Sequence, residues 1–178
     1  MSKHYYGIDD FLSYQPVKPG RTLVVGSKVY DTKKQDRRKL YKDAIGVDMQ
    51  YGDGVDVVHD MEKPLPNKFG KFDHIDCVSV MEHCQRPWLM AENILRVMNP
   101  LASLLLSVPF VWRVHGYPSD YWRFTLESFD ILFPGIHWEK RGYLMEDVFR
   151  KLTHPLEKNG KKYLQRSEAI GFGFLVSR

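Results

Sequence analysis

Cysteine is scarce in these 178 residues: only Cys77 and Cys84 are present, too few for a disulfide framework. Cys77 sits in an apolar run, where a free thiol behaves as a small hydrophobe. No apolar run approaches the roughly 20 residues of a membrane span. The stretch MSKHYYGIDDFLSY carries paired acids where a secretion signal has an apolar centre. These absences predict a cytoplasmic chain without a membrane span. Internal repeats and low-complexity tracts are missing too, which excludes solenoids and long disordered linkers. Neither sign of charge dominates, since 26 basic and 22 acidic residues leave +4. The basic residues cluster in KKQDRRKLYK and EKNGKKYLQR, stretches that read as solvated loops. Glycine is short where it matters. The run TLVVGSKVY, from Thr22, has Gly26 and then Ser27, Lys28, Val29 and Tyr30. Loops that cradle phosphates at this place use two or three glycines, because the backbone must approach the ligand closely.

What is present is a series of strand-length apolar runs. They are TLVVG (22–26), AIGVDM (44–49), VDVVHD (55–60), HIDCVSVM (74–81) and ASLLLSV (102–108). Their apolar residues do not strictly alternate, as in strands covered on both faces of a parallel sheet. Between the fourth and fifth runs, RPWLMAENILRVMNP predicts a helix with Trp88, Ala91, Leu95 and Met98 on its apolar stripe. TLESFDILF predicts another, capped by Thr125, with Leu126, Phe129 and Phe133 on one face. The alternation of Ile170, Phe172, Phe174 and Val176 predicts a late antiparallel strand paired with 136–144. DTKKQDRRKLYKD offers only Leu40 and Tyr41 to a core, so an irregular crossing or short exposed helix is expected there. MQYGDG is too short for a helical crossover, which needs a dozen or more residues. The expectation is one α/β domain over 1–178 with reduced helices after the first strands.

Ligands of open parallel sheets bind beyond the carboxyl ends of the strands. Three of the five predicted strand ends carry acids: Asp48, Asp60 and Glu82. Asp48 follows Gly26 by 22 residues, the distance at which an acid accepts hydrogen bonds from adenosine ribose hydroxyls. That suits a nicotinamide dinucleotide or S-adenosylmethionine. The dinucleotide needs a glycine-rich turn opening a helix onto its pyrophosphate, and the sequence has neither. S-adenosylmethionine carries no phosphate. Asp60 suits the adenine amine and Met61 the adenine face.

The stretches LVVGSK, IGVDMQYGDGVDVVHDMEKPLP, FDHIDCVSVMEHCQRPW, ENILRVMNPLASLLLSVPF and HGYPSDYWRFTLESF cover most of 22–130. In this order they resemble the small bacterial and phage-type class I S-adenosylmethionine-dependent methyltransferases. The resemblance implies a Rossmann-like, mostly parallel sheet of about seven strands with a final antiparallel strand, in a three-layer sandwich. It also implies S-adenosylmethionine as cofactor. Gly26 and Ser27 match the first cofactor loop, Asp48 the ribose acid, and Asp60 with Met61 the adenine pair. Val80 and Met81 match the segment beside the sulfonium. Lys28 and Met49 flank this set and complete the expected cofactor-binding residues. The chain departs from the family's pattern in three places. Val24 replaces an acid, Lys28 and Tyr30 stand where glycines are common, and RVMNPLAS lacks the double glycine after its proline.

Methyl transfer asks the protein mainly to position and desolvate an acceptor, with a base where that acceptor carries a proton. His83, His115 and Asp120, past the fourth and fifth strands, are the candidates for proton handling. WRVHGYPSDYWRFT equally reads as an aromatic lid, with Arg113 or Arg123 pairing Asp120. The favoured acceptor is a small molecule or glycan. A nucleic-acid acceptor is weighed against it and disfavoured by the absence of an NPPY-like motif. A catalytically silent binding module is the third reading. The short cover over the site leaves room for a homodimer that completes it.

Overall fold

The structure, a computed structural model, describes residues 3–5, 11, 20–30, 36–116, 119–145, 156–158, 161–163 and 167–176. The strands are β1 (Lys3–Tyr5), β2 (Arg21–Val25), β3 (Asp43–Asp48), β4 (Val57–Val58), β5 (Phe72–Val78), β6 (Met98–Val111), β7 (Ile136–Met145), β8 (Leu156–Lys158), β9 (Lys161–Tyr163) and β10 (Ser167–Leu175). Eight form one sheet in the order β1-β7-β10-β6-β5-β2-β3-β4, and β8 pairs with β9 apart from it. Neighbours are parallel except at β10, which runs antiparallel to both β6 and β7. This is the expected α/β, Rossmann-like, mostly parallel sheet with an antiparallel final strand, extended by β1 at one edge. The order reverses at β2, whose neighbours are β3 and β5. Such a switch point opens a crevice beyond the strand ends.

Two helices, α1 (Pro87–Val97) and α2 (Glu127–Leu132), cover one face of the sheet. Their core residues join Leu23, Val25, Ile75, Cys77, Leu104 and Leu106. On α1 the buried positions are Pro87, Met90, Ala91, Asn93, Ile94 and Val97, so the expected stripe is rotated. Trp88 is half exposed and lies edge-on to Trp122, 6.1 Å between centroids. Met98 is buried, but as the first residue of β6. Thr125 does not cap α2 with its hydroxyl. Leu126 occupies the cap position in helical geometry, and the Thr125 carbonyl accepts from the Ser128 backbone and hydroxyl.

The other face is more polar. Along β5 and β6, His74, Asp76, Ser103 and Ser107 are buried. Phe11 packs with Leu105, Leu144, Ile170 and Phe172 over part of this face. The short 3-10 turn Arg37–Leu40 is partly exposed, as expected, but Arg37 and Tyr41 turn inward to the Asp76 carboxylate. Arg38 pairs with Asp36 and Asp56. Half of the first basic cluster that is described is therefore committed to internal ion pairs rather than solvated. Of the second cluster, Glu157, Lys158 and Lys161–Tyr163 fall on the hairpin strands β8 and β9 rather than in a loop; their side chains and the rest of the cluster lie outside the described residues, as does Tyr117 of the aromatic segment. The run 55–60 contributes only two sheet residues, because the tight connection from β3 leaves Val57–Val58 alone in register with Val47 and Asp48.

Candidate functional site

Beyond the carboxyl ends of β2, β3, β4 and β5 lies an open cleft of about 360 Å³. That is within the size range of small-molecule sites, about 300–1,000 Å³. Its walls include Gly26, Asp48, Met49, Asp60, Met61 and Val80, six of the nine expected cofactor-binding residues. The other three point elsewhere. Met81 is fully buried in the core. Ser27 is buried against Gly46, where a Cβ would come within 2.5 Å of its hydroxyl. Lys28 turns its ammonium to Gln50 Oε1 at 2.9 Å and over the Tyr30 ring.

The single glycine of the loop is explained by its surroundings. Gly26 has φ +67°, and a Cβ there would strike Val80 Cγ2 at 2.3 Å. The Gly26 and Ser27 amides both donate to the Val47 carbonyl, so the loop folds down over the end of β3. Close approach is made possible by glycines of other segments. A Cβ at Gly46 or Gly54 would come 2.5 Å from Ser27 Oγ or 2.3 Å from Ser27 O. Glycines that sequence reading seeks within the loop thus stand on the surfaces it packs against.

Asp48 is buried at the end of β3. Its Oδ2 accepts from the Lys28 amide at 3.2 Å and its Oδ1 from the Gln50 amide at 2.9 Å. Each carboxylate oxygen can accept more than one hydrogen bond, so the group retains capacity toward the cleft. Asp60 accepts from the Glu62 amide and is about one-third exposed. Glu62 was not foreseen. It clamps the cleft by accepting from the Gln85 amide at 2.6 Å and from Arg86 Nε at 2.8 Å. His59, Ser79, Tyr30 and Tyr121 also line the cleft. Ser79 holds φ +54° where β5 ends, earlier than the expected Met81. Strain of this kind persists where surrounding structure enforces it and is common at functional sites. Burial, and then Asp48, pushes the Tyr30 hydroxyl pKa up. Burial, and then Glu62, pushes the Cys84 thiol up to about 12, which makes it a poor nucleophile.

One end of the cleft carries His83, and the expected His115 lies behind it, outside the lining. His83 donates through Nδ1 to the Ser119 carbonyl, 2.5 Å away, which selects the Nδ1–H tautomer. The His115 ring stands edge-on to His83, 5.0 Å between centroids. Asp120 does not reach the cleft. Its fully buried carboxylate accepts from both terminal nitrogens of the Arg123 guanidinium and from the His115 amide, and one of its oxygens lies 3.0 Å from His115 Nδ1. The Arg123 guanidinium holds the Asp120 carboxyl well below the usual carboxylate range. Glu82, next to His83, is 1% exposed, and burial pushes its carboxyl up to about 8. Burial likewise lowers His83. The 119–124 segment is tied down here. The Tyr121 amide donates to the Glu82 carbonyl and Trp122 Nε1 to the Cys84 carbonyl. Of the expected pairings with Asp120, Arg123 makes the contact, whereas Arg113 offers only its carbonyl to Arg123.

No family model matches the sequence, and no curated protein matches it. Solved structures match its fold. The YcgJ protein from Bacillus subtilis is 15% identical, with a TM-score of 0.64 over 94% of this chain and 97% of that one. The 1,6-didemethyltoxoflavin-N1-methyltransferase of Burkholderia thailandensis, solved with 1,6-didemethyltoxoflavin and S-adenosylhomocysteine, is 11% identical. Its TM-score is 0.62, over 94% of this chain and 75% of that one. The N-methyltransferase NodS of Bradyrhizobium japonicum, solved with S-adenosylhomocysteine, is 10% identical, with a TM-score of 0.59 over 96% and 84%. The chain has the class I methyltransferase fold. Among the described residues no helix is long and apolar enough to cross a membrane.

Proposed function

We propose that the cleft binds S-adenosylmethionine and that the protein transfers its methyl group to a small-molecule or glycan acceptor. One observation carries this reading: Gly26, Asp48 and Asp60, from the ends of three neighbouring strands, line one cleft at the switch point of the sheet. In this reading the Asp48 carboxylate accepts from the ribose hydroxyls and Asp60 from the adenine amine. Met61 and Val80 supply apolar walls. When bound, the cofactor supplies a methyl group on an already activated sulfonium. The protein's part is to orient the acceptor and exclude water. In the same reading His83, on the cleft wall, receives the proton-bearing group of the acceptor, with the His115 ring edge-on behind it. Asp120 acts behind them as a positioning residue, holding the His115 ring. The commitment of Arg37 and Arg38 to internal carboxylates supports a small acceptor over a nucleic acid, because it removes cations from a phosphate-binding surface. We place the protein in the cytoplasm, and a homodimer completing the cover would show in sedimentation equilibrium.

Calorimetric titration with S-adenosylmethionine, S-adenosylhomocysteine and NAD tests the reading. Binding of the first two and not the third is expected. Asp48→Ala is expected to weaken binding by tenfold or more, about 1.4 kcal/mol. Unchanged affinity in that variant rejects the ribose assignment. Cofactor binding without methyl transfer to any of a panel of hydroxyl and amine acceptors favours the binding-module reading instead.

A further inference from the structure

Glu82, His83 and His115 each present one donor atom within 4.8 Å of the others'. Three features distinguish this cluster from a chance meeting of polar groups. First, Glu82 is 1% exposed and its Oε2 has no hydrogen-bond partner among the described residues. Its Oε1 lies 3.6 Å from His83 Nε2, beyond hydrogen-bond distance. A buried carboxylate without compensation is costly. Second, both imidazoles are oriented through Nδ1. His83 Nδ1 donates to the Ser119 carbonyl, and His115 Nδ1 hydrogen-bonds the Arg113 carbonyl at 3.4 Å, with an Asp120 carboxylate oxygen 3.0 Å away. A ring that donates from Nδ1 keeps its lone pair on Nε2. Metal-binding histidines are held in this way by a carbonyl or carboxylate on the far nitrogen. Third, the cluster borders the cleft through His83, which lines its wall, while Glu82 and His115 stand behind it.

We propose that Glu82, His83 and His115 form a binding site for a first-row divalent transition cation. Two imidazoles and one carboxylate suit zinc, cobalt, iron or manganese rather than magnesium or calcium, which take mainly oxygen ligands. Three protein ligands leave positions open, as in catalytic rather than structural zinc sites. His83 is the member of the set that lies on the cleft wall. Resting on the methyltransferase reading, a cation held there would lower the pKa of an acceptor hydroxyl bound to it; the proton would pass to solvent in the open cleft, and the oxygen would form its bond to the methyl carbon as the carbon–sulfur bond of the sulfonium breaks. Oxygen acceptors are then preferred over amines that are protonated at neutral pH. Asp120 and the Ser119 carbonyl are positioning groups for the two ligand rings.

The test uses the full chain, stripped with a chelator and free of any affinity tag, and titrated with Co²⁺ followed by visible absorption and with Zn²⁺ followed by calorimetry. Uptake of one Co²⁺ per chain, with the d–d bands of a nitrogen–oxygen site, is expected. His115→Ala, at a partly exposed position, and Glu82→Gln are each expected to abolish those bands while the far-ultraviolet circular dichroism is unchanged. Asp120→Asn is expected to weaken cobalt by about 10–100-fold and to shift its spectrum. Asp48→Ala is expected to bind Co²⁺ as the parent does while losing S-adenosylhomocysteine. Glu82→Gln is expected to do the reverse, which separates failure of the cation site from failure of the cofactor site. No uptake of either metal by the parent chain overturns the proposal, as does equal uptake by a folded His83→Ala/His115→Ala variant.

Discussion

Val80 stands directly above Gly26. A Cβ at Gly26 would meet Val80 Cγ2 at 2.3 Å, and the Gly26 φ of +67° disfavours any side chain as well. The two residues come from the ends of adjacent strands β2 and β5, the two sides of the switch point. Gly26→Ala therefore pushes apart the walls on which a cofactor would rest. It is expected to weaken S-adenosylhomocysteine binding by tenfold or more, read by calorimetry. Gly26→Ala/Val80→Ala removes the clash but not the unfavourable φ, so partial recovery is expected. No difference between the single and double variants would show that the contact is unimportant.

Arg37 reaches across the polar face of the sheet to Asp76, with Nη2 2.7 Å and Nε 3.0 Å from its carboxylate oxygens. Tyr41 donates to the same carboxylate at 2.5 Å. Asp76 is fully buried, so removing its cation leaves a charge without compensation. Arg37→Met is expected to cost about 3 kcal/mol in urea unfolding, as for other broken buried pairs. Arg37→Met/Asp76→Leu, which removes both charges, is expected to recover most of that loss. If the double variant is no better than the single one, the pair contributes packing rather than charge compensation.

His74 lies beside that pair, fully buried, with Nδ1 2.8 Å from Ser103 Oγ and its ring 5.2 Å from Tyr41. Burial lowers it from 6.5 to about 4. Asp76 opposes the shift and Arg37 adds to it. A depressed folded pKa means that the unfolded chain takes up the proton first. This contribution to stability is complete above pH 6.5, falls as pH drops toward 4, and is level below. The loss is about 3 kcal/mol for a shift of this size. Glu82, raised to about 8, acts in the opposite sense above pH 4.5, and it is common to the parent and any His74 variant. The difference in stability between pH 7.5 and pH 4 is therefore expected to shift by about 3 kcal/mol in His74→Gln, measured by urea unfolding. An unaltered pH dependence in a folded His74→Gln would show that His74 is not the group responsible.

The strand-length runs along the chain and the acids that follow them can be read from the sequence because both are local signals. An apolar run followed by Asp48 or Asp60 needs no knowledge of the rest of the chain. The polar face could not be read. His74 and Asp76 lie within HIDCVSVM, which looks apolar, and their partners Arg37, Tyr41 and Ser103 are 29 or more residues away. The buried face of α1 differs from the expected stripe because hydrophobicity alone does not bury Trp88. An amphipathic ring can remain half exposed against another tryptophan. His83, His115 and Asp120 were each singled out, yet their joint arrangement with Glu82 depends on how the 119–124 segment crosses the end of β5.

Leu101 is the residue at which the absent double glycine has a measurable consequence. It opens the apolar part of β6 with φ +61° and is mostly exposed, so little packing compensates its left-handed backbone. A non-glycine residue in that region costs about 1–2 kcal/mol, and glycine returns about 0.5–1 kcal/mol of this through the unfolded chain's greater freedom. Leu101→Gly is expected to stabilise the protein by about 0.5 kcal/mol. In a chain of this size that raises Tm by about 1–2 °C, within reach of calorimetry. Leu101→Ala keeps the strain and is expected to leave Tm unchanged. A fall in Tm for the glycine variant, with none for alanine, would mean that the backbone at Leu101 carries no strain to relieve.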